Sequence, residues 1–347
     1  EEAMLRKGLT LTLYGSYSPA IKALEAFMEK YPQNVYVRRN VIQENIDENL
    51  KGLIDSYFRQ DDTLALVSAY SDYKAKYLIN FRFDTTLFQI AVAHRKLGFL
   101  DEALDILRFL ETRSGDTVGE LVQLEKARAL LENEDLTEAR NTIARFLKEY
   151  PESPYDSEAR LLLARIYRQQ KSYPRALLVY KQTLRKYDQN KKPLLAEIVP
   201  ELYYDLGELQ EETGNFVEAG EAFQEAISSY NHPLDHQDTP EYIIKSHFLS
   251  ADMHNKGQND ETALKSYQRA ISLYADKTNK QIIERVFWAR YQIGAIYTRQ
   301  DKDQQALIIF KELMDEKAGE GQLWRKLAKE NHRTITRKLA YDDYLKE

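Results

Sequence analysis

Along the chain, an alanine followed four residues later by a large apolar residue and seven later by an apolar or small one recurs in fixed phase. The copies are Ala20-Leu24-Phe27, Ala103-Leu107-Leu110, Ala139-Ile143-Phe146, Ala219-Phe223-Ala226, Ala263-Tyr267-Ala270 and Ala306-Phe310-Leu313, with Ala176-Tyr180-Thr183 a weaker one. Steps of four and three put all members of a copy on one face of an α-helix. Twelve residues before each alanine stands another small residue: Gly8, Ala91, Ala127, Ala164, Gly207, Ala251 or Gly294. Turn-rich segments separate the two, such as Leu97-Gly98-Phe99-Leu100-Asp101, Thr213-Gly214-Asn215-Phe216 and Lys256-Gly257-Gln258-Asn259-Asp260, each offering a glycine for a left-handed helix end. The unit so defined is helix, tight turn, helix. Its small residues let two antiparallel backbones approach, and its large residues fill the space beside them.

From Ala20 to Ala103 the separation is 83 residues, room for one further unit. Residues 41–59 and 62–79 supply its two helices, with Ala65, Ala69 and Tyr73 on one face and Leu53 where the other units have a small residue. The pattern therefore predicts an all-α chain with eight helix pairs over residues 1–317, one of them degenerate at about 41–79. Residues 318–347 follow as C-terminal capping helices. From Gly319 onward, Leu323, Leu327, Ile335 and Leu339 are interspersed with Lys and Arg, as in a polar-faced cap that keeps an array soluble.

Composition supports this reading. Of 347 residues, 43% are hydrophobic and 30% charged, which excludes a disordered chain, and the 13 Gly and 9 Pro are too few for the turns of a large β or doubly wound fold. A net charge of −6 argues against phosphate-backbone binding, so no nucleic-acid partner is expected. The absence of Cys excludes disulfides, thiolate metal sites and cysteine nucleophiles. No stretch approaches the roughly 20 apolar residues of a membrane helix. The opening Glu1-Glu2-Ala3-Met4 has neither an initiator Met nor a signal-peptide pattern, so the chain reads as a processed or excised piece.

The order small, small, aromatic, small, with Pro32 and Pro151 after second helices, resembles the tetratricopeptide-repeat (TPR) family. The clearest copies are Leu206-Gly207 with Ala219, Phe223 and Ala226, and Ile293-Gly294-Ala295-Ile296-Tyr297 with Ala306 and Phe310. The chain departs in period: alanines lie 36 residues apart from Ala103 to Ala139 and 43 from Ala263 to Ala306, against about 34 in the standard motif. The resemblance implies a right-handed superhelical solenoid whose first helices line a concave, protein-binding surface. The positions carried over are Gln89, Arg95 and Lys96; Glu125 and Arg128; Arg165, Arg168 and Gln169; Glu201, Asp205, Glu208 and Glu211; Lys245, Asp252 and Asn255; and Trp288, Gln292 and Arg299. The carboxylate clamp of chaperone-tail binders is not matched, since Leu5, Leu9, Phe88, Val92, Leu124 and Arg128 occupy its places.

Those positions are basic in the middle and then acidic, a segregation that suits a partner with its own charged halves. It leads to the expectation that Arg128→Glu with Arg165→Glu weakens partner capture without lowering stability. A solvated face offers the simpler account of the same charges. The 24 tyrosines are mostly assigned to packing, with Tyr167, Tyr180, Tyr267 and Tyr297 at core positions and Tyr31 and Tyr150 before the closing prolines. His232 with His236, and His247 with His254, have metal-like spacing but no third ligand. No Walker loop, GxGxxG, GxSxG or HExxH occurs. The expected function is a non-enzymatic scaffold for a protein or peptide, with no cofactor and no metal. Phe27-Met28-Glu29-Lys30-Tyr31-Pro32 and Phe146-Leu147-Lys148-Glu149-Tyr150-Pro151 resemble the repeats of bacterial envelope proteins, which implies a periplasmic assembly. The alternatives are a cytoplasmic peptide-sensing regulator, or the regulatory array of a larger enzyme.

Overall fold

The structure is a computed structural model and describes all residues except 77–82, 114–118, 191–192, 233, 235–238, 276–278, 317–319 and 345–347. Among the described residues there are eighteen α-helices and no strand. They fall into two compact units, Glu1–Gln170 and Lys171–Glu347.

The first unit runs α1 (Glu2–Leu13), α2 (Tyr17–Lys30), a single turn α3 (Val35–Arg38), α4 (Val41–Arg59), α5 (Thr63–Lys76), α6 (Asp84–Lys96), α7 (Leu100–Arg113), α8 (Gly119–Glu132), α9 (Leu136–Glu149) and α10 (Asp156–Gln169). The second runs α11 (Tyr173–Asn190), α12 (Pro193–Glu212), α13 (Phe216–Ser229), α14 (Glu241–Lys256), α15 (Asp260–Tyr274), α16 (Lys280–Arg299), α17 (Asp303–Asp315) and α18 (Gln322–Tyr344). Within each unit, helices pack chiefly against those before and after them in the chain, the arrangement of an α-solenoid built from antiparallel pairs.

Every small residue of the repeat lies in the core. Ala91, Ala127, Ala164 and Ala251 on first helices are fully buried, as are the alanines twelve residues after them. A Cβ placed on Gly294 would sit 2.5 Å from the Phe310 ring, and one on Gly207 2.8 Å from Phe223. The backbone of the first helix therefore rests directly on the large residue of the second, and burying such a side chain stabilises by roughly 1.5–3 kcal/mol.

The tight turns share one construction. Gly98 and Gly214 adopt φ of +81° and +79°, as the glycines predict. In the Lys256–Asp260 turn the expectation fails: Gly257 stays at φ −76° and Gln258 takes φ 60°. Each of the three closes with a six-residue bond typical of a Schellman end, Phe99 N to His94 O (2.9 Å), Asn215 N to Gln210 O (2.8 Å) and Asn259 N to His254 O (2.8 Å).

The degenerate pair is α4–α5, but its register is one residue from the predicted one. The buried stripe of α5 is Leu66, Tyr70 and Tyr73, not Ala65 and Ala69, and Ile54, twelve residues before Leu66, is fully buried. Two branched side chains thus occupy both positions that are small elsewhere. Residues 77–79, the predicted end of the second helix, lie outside the described residues. The tail is one helix, α18, on which Ala328 and Ile335 are buried with Leu339 and Trp324 packed beside them, while Leu323 is exposed. Gly319 is not among the described residues.

Candidate protein-binding faces

In the first unit, predicted groove residues of α6 and α8 meet in a ladder of charge, completed by Glu132 of α8 and Glu158 of α10, which were not predicted. Glu125, only 1% exposed, accepts from Arg95 Nε at 2.5 Å and from Arg128 Nη1 at 2.6 Å. Arg95 also reaches Glu132 at 2.6 Å, and Arg128 pairs with Glu158. Burial disfavours the Arg95 cation, yet the hydrogen bonds and charges of Glu125 and Glu132 outweigh it and raise its pKa. Arg95 and Arg128, two of the basic groove positions, are therefore neutralised in place. The expectation that Arg128→Glu leaves stability untouched does not hold, because that change sets a third carboxylate between Glu125 and Glu158. Gln89 is half-buried, with its side-chain oxygen buried and unpartnered. Lys96 pairs with Asp61 at 2.7 Å on the surface. Arg165 and Arg168 are half-buried on α10 and neither is free, while Gln169 is exposed.

In the second unit, first helices again supply a row. Asp252 of α14 accepts from Tyr267 Oη at 2.5 Å and from Trp288 Nε1 of α16 at 3.0 Å. Burial raises its pKa against the opposing effect of those two bonds. Asn255 donates to Gln292 at 3.0 Å and accepts from Arg299 at 2.8 Å, and Arg299 also pairs with Asp260. Asp205 is buried, receiving the Tyr180 hydroxyl at 3.4 Å. Glu208 accepts from Tyr204 at 2.9 Å, Glu211 pairs with Lys256, and Lys245 with Glu241 on its own helix. Glu201 is half-buried.

Three residues that the sequence reading passed over complete this row. Trp324 of α18 lies 4.8 Å from Trp288, and Tyr291 flanks both rings. Arg285, half-buried, makes no hydrogen bond or ion pair among the described residues, yet its charge is felt by Tyr204, Glu241 and Asp252. Its place three residues before Trp288 and seven before Gln292 is a helical-face signal that the spacing could have given. Trp324 follows no repeat register, so no spacing pointed to it. The Tyr204 and Tyr242 rings meet tilted, 5.7 Å apart, and burial pushes the Tyr242 hydroxyl up to about 12.

Most tyrosines do pack as expected: Tyr180 and Tyr267 are fully buried, Tyr167 and Tyr297 half-buried, and Tyr31 and Tyr150 lie against Phe27 and Phe146. His247 and His254 point into the second unit's core, His247 against the Tyr274 ring and His254 against Gly220. Burial lowers both, His247 to about 4. His236 lies outside the described residues. Among the described residues no group of three His, Asp or Glu could hold a metal ion, and no helix is long and apolar enough to cross a membrane.

Helix pairs with a small residue at every crossing but that of α4 and α5, and polar first-helix faces, define a repeat protein. Sequence models described as tetratricopeptide repeat match residues 124–191, 200–232 and 2–34. These stretches carry tetratricopeptide repeats, and the fold is that of tetratricopeptide-repeat proteins. Solved structures share its fold: the C-terminal part of a TPR repeat-containing protein from Cytophaga hutchinsonii (13% identity, 78% of this chain and 97% of that one, TM-score 0.57); a tetratricopeptide repeat protein from Parabacteroides merdae (15%, 83% and 98%, 0.50); and the apo form of the quorum sensor NprR from B. thuringiensis (12%, 97% and 97%, 0.57). No curated protein matches the chain.

Proposed function

We propose that this protein is a non-enzymatic scaffold that binds an extended protein segment along the first-helix row of its second unit. The observation that carries the proposal is the pairing of Trp288 and Trp324 at 4.8 Å beside Arg285. Partly exposed tryptophan and arginine are the residue types that anchor interfaces, and Glu201 and Glu208 add a region of negative potential on the same row. The partner segment carries an aromatic or aliphatic anchor for the tryptophans, a carboxylate for Arg285 and basic residues toward α12. The repeat phrasing at Phe27–Pro32 and Phe146–Pro151 supports a bacterial cell-envelope assembly, in the periplasm, as the setting.

Affinity capture from cells of the source organism, with wild type beside Trp288→Ala and Arg285→Glu, tests the proposal. An envelope protein captured by wild type and lost with both variants is the expected result. Equal capture by all three moves the binding face elsewhere. The likeness to NprR over 97% of both chains favours a second reading, a peptide-sensing regulator. A short peptide, with no protein, in the wild-type capture is the outcome that selects it.

A further inference from the structure

The degenerate pair leaves a hollow. In the other pairs the second helix sets a large residue four positions after its alanine, but α5, turned by one residue, presents Ala65, Ser68 and Ala69 toward the space beside α4 and α2. The result is a half-open cleft of about 280 Å³ between α2, α4 and α5, floored by Ile21, Leu50, Leu53 and Tyr57. A cavity of about 150 Å³ already holds benzene, so this one accepts two bulky side chains. Its walls carry exposed charges of opposite sign, Lys22 of α2 and Asp72 of α5, neither with a partner among the described residues, while Glu25 of α2, half-buried on the same lining, is already engaged.

We infer that this cleft is a second protein-binding site, which receives an amphipathic helix of a partner protein. Two large apolar residues of that helix, three or four positions apart, enter the cleft. An acidic residue on one flank meets Lys22, and a basic residue on the other meets Asp72. A charge on each wall and an apolar floor suit a helix that is polar on two sides of an apolar stripe, and they fix its direction. The site lies in the first unit and stands whether or not the tryptophan row of the second unit binds.

The test is selection of displayed 14-residue helical peptides on the full chain, followed by affinity measurement for individual peptides by fluorescence anisotropy. The expected consensus pairs a Leu, Phe or Trp with another three or four residues away, flanked by Glu or Asp on one side and Lys or Arg on the other. Ala69→Phe fills the cleft and lowers affinity at least tenfold, with the helical signal retained. Lys22→Glu combined with Asp72→Lys, both changes on exposed residues, inverts the preference between a selected peptide and its charge-swapped version. Peptides that bind Ala69→Phe as well as wild type, a consensus without flanking charges, or a preference indifferent to the double charge swap each overturn the inference.

Discussion

Glu125 allows the charge ladder of the first unit to be tested by counting its partners. With Arg95 replaced by Met, Glu125 keeps Arg128 at 2.6 Å; with Arg128 replaced, it keeps Arg95 at 2.5 Å. Each single change removes one of the two charge-assisted bonds to Glu125, together with that arginine's second pair, to the more exposed Glu132 or Glu158. Since the Arg95 and Arg128 side chains are 16% and 28% exposed, the loss is put at about 1–1.5 kcal/mol. With both arginines replaced, a carboxylate 1% exposed is left without a cation, and an unpaired buried charge costs about 3–5 kcal/mol. The double variant therefore loses more than the sum of its parts, as expected of groups sharing one partner. Adding Glu125→Leu removes the stranded charge and recovers most of the loss, while Glu132 and Glu158 turn to solvent. Hydrogen exchange of peptides covering α8, read by mass spectrometry, follows this locally. Exchange faster by about tenfold is expected for each single variant, and by about a hundredfold to several thousandfold for the double. Strictly additive effects, or no recovery with Glu125→Leu, would refute the reasoning.

Two further predictions follow from the second unit. Gly294→Ala lowers stability by about 1–3 kcal/mol through its clash with Phe310, although the same change in a helix ordinarily stabilises by about 0.5–1 kcal/mol; Phe310→Leu in the same chain relieves it, and urea unfolding that shows a stabilised Gly294→Ala would sink the close approach. His247, with a pKa of about 4 when folded and about 6.5 when unfolded, is protonated first in the unfolded chain. Its contribution is fully present above about pH 6.5, falls as pH drops, and is lost by about pH 4, at most about 3 kcal/mol in all. Thermal melts from pH 7.5 to 5 should therefore fall more steeply for wild type than for His247→Gln, and parallel curves would count against a buried neutral imidazole.

The repeat was legible because its signal is geometric. Gly207 and Phe223, or Ala139 and Ile143, must stand where they do for two helices to touch, so spacing alone located them. The α4–α5 pair was misread by one residue because Ala65-Ala69 and Leu66-Tyr70 both have helical spacing, and only contact with Ile54 selects between them. The groove charges were located on the right helices but misjudged in state. A residue read on one helix shows its face, not the carboxylate that a neighbouring pair brings to it. Arg95 with Glu125 and Arg128 with Glu158 are both 30 residues apart, a shared offset between opposite charges that a search across repeats, rather than within them, would have found.

The constancy of the twelve-residue step inside each pair, beside a variable distance between pairs, sets where the chain tolerates added length. One residue inserted into a tight turn rotates the second helix by about 100° against the first, so the alanine and its large companion leave the crossing and the Schellman closure is lost. The same residue inserted between pairs lengthens a connection and leaves every crossing in register. The spread of spacings, from 36 residues between Ala103 and Ala139 to 44 between Ala219 and Ala263, lies outside the tight turns, in the joins and in longer helices such as α12 and α16, 20 residues each. The elbows are rigid joints and the joins between pairs are adjustable ones, so grafted loops or tags belong between pairs.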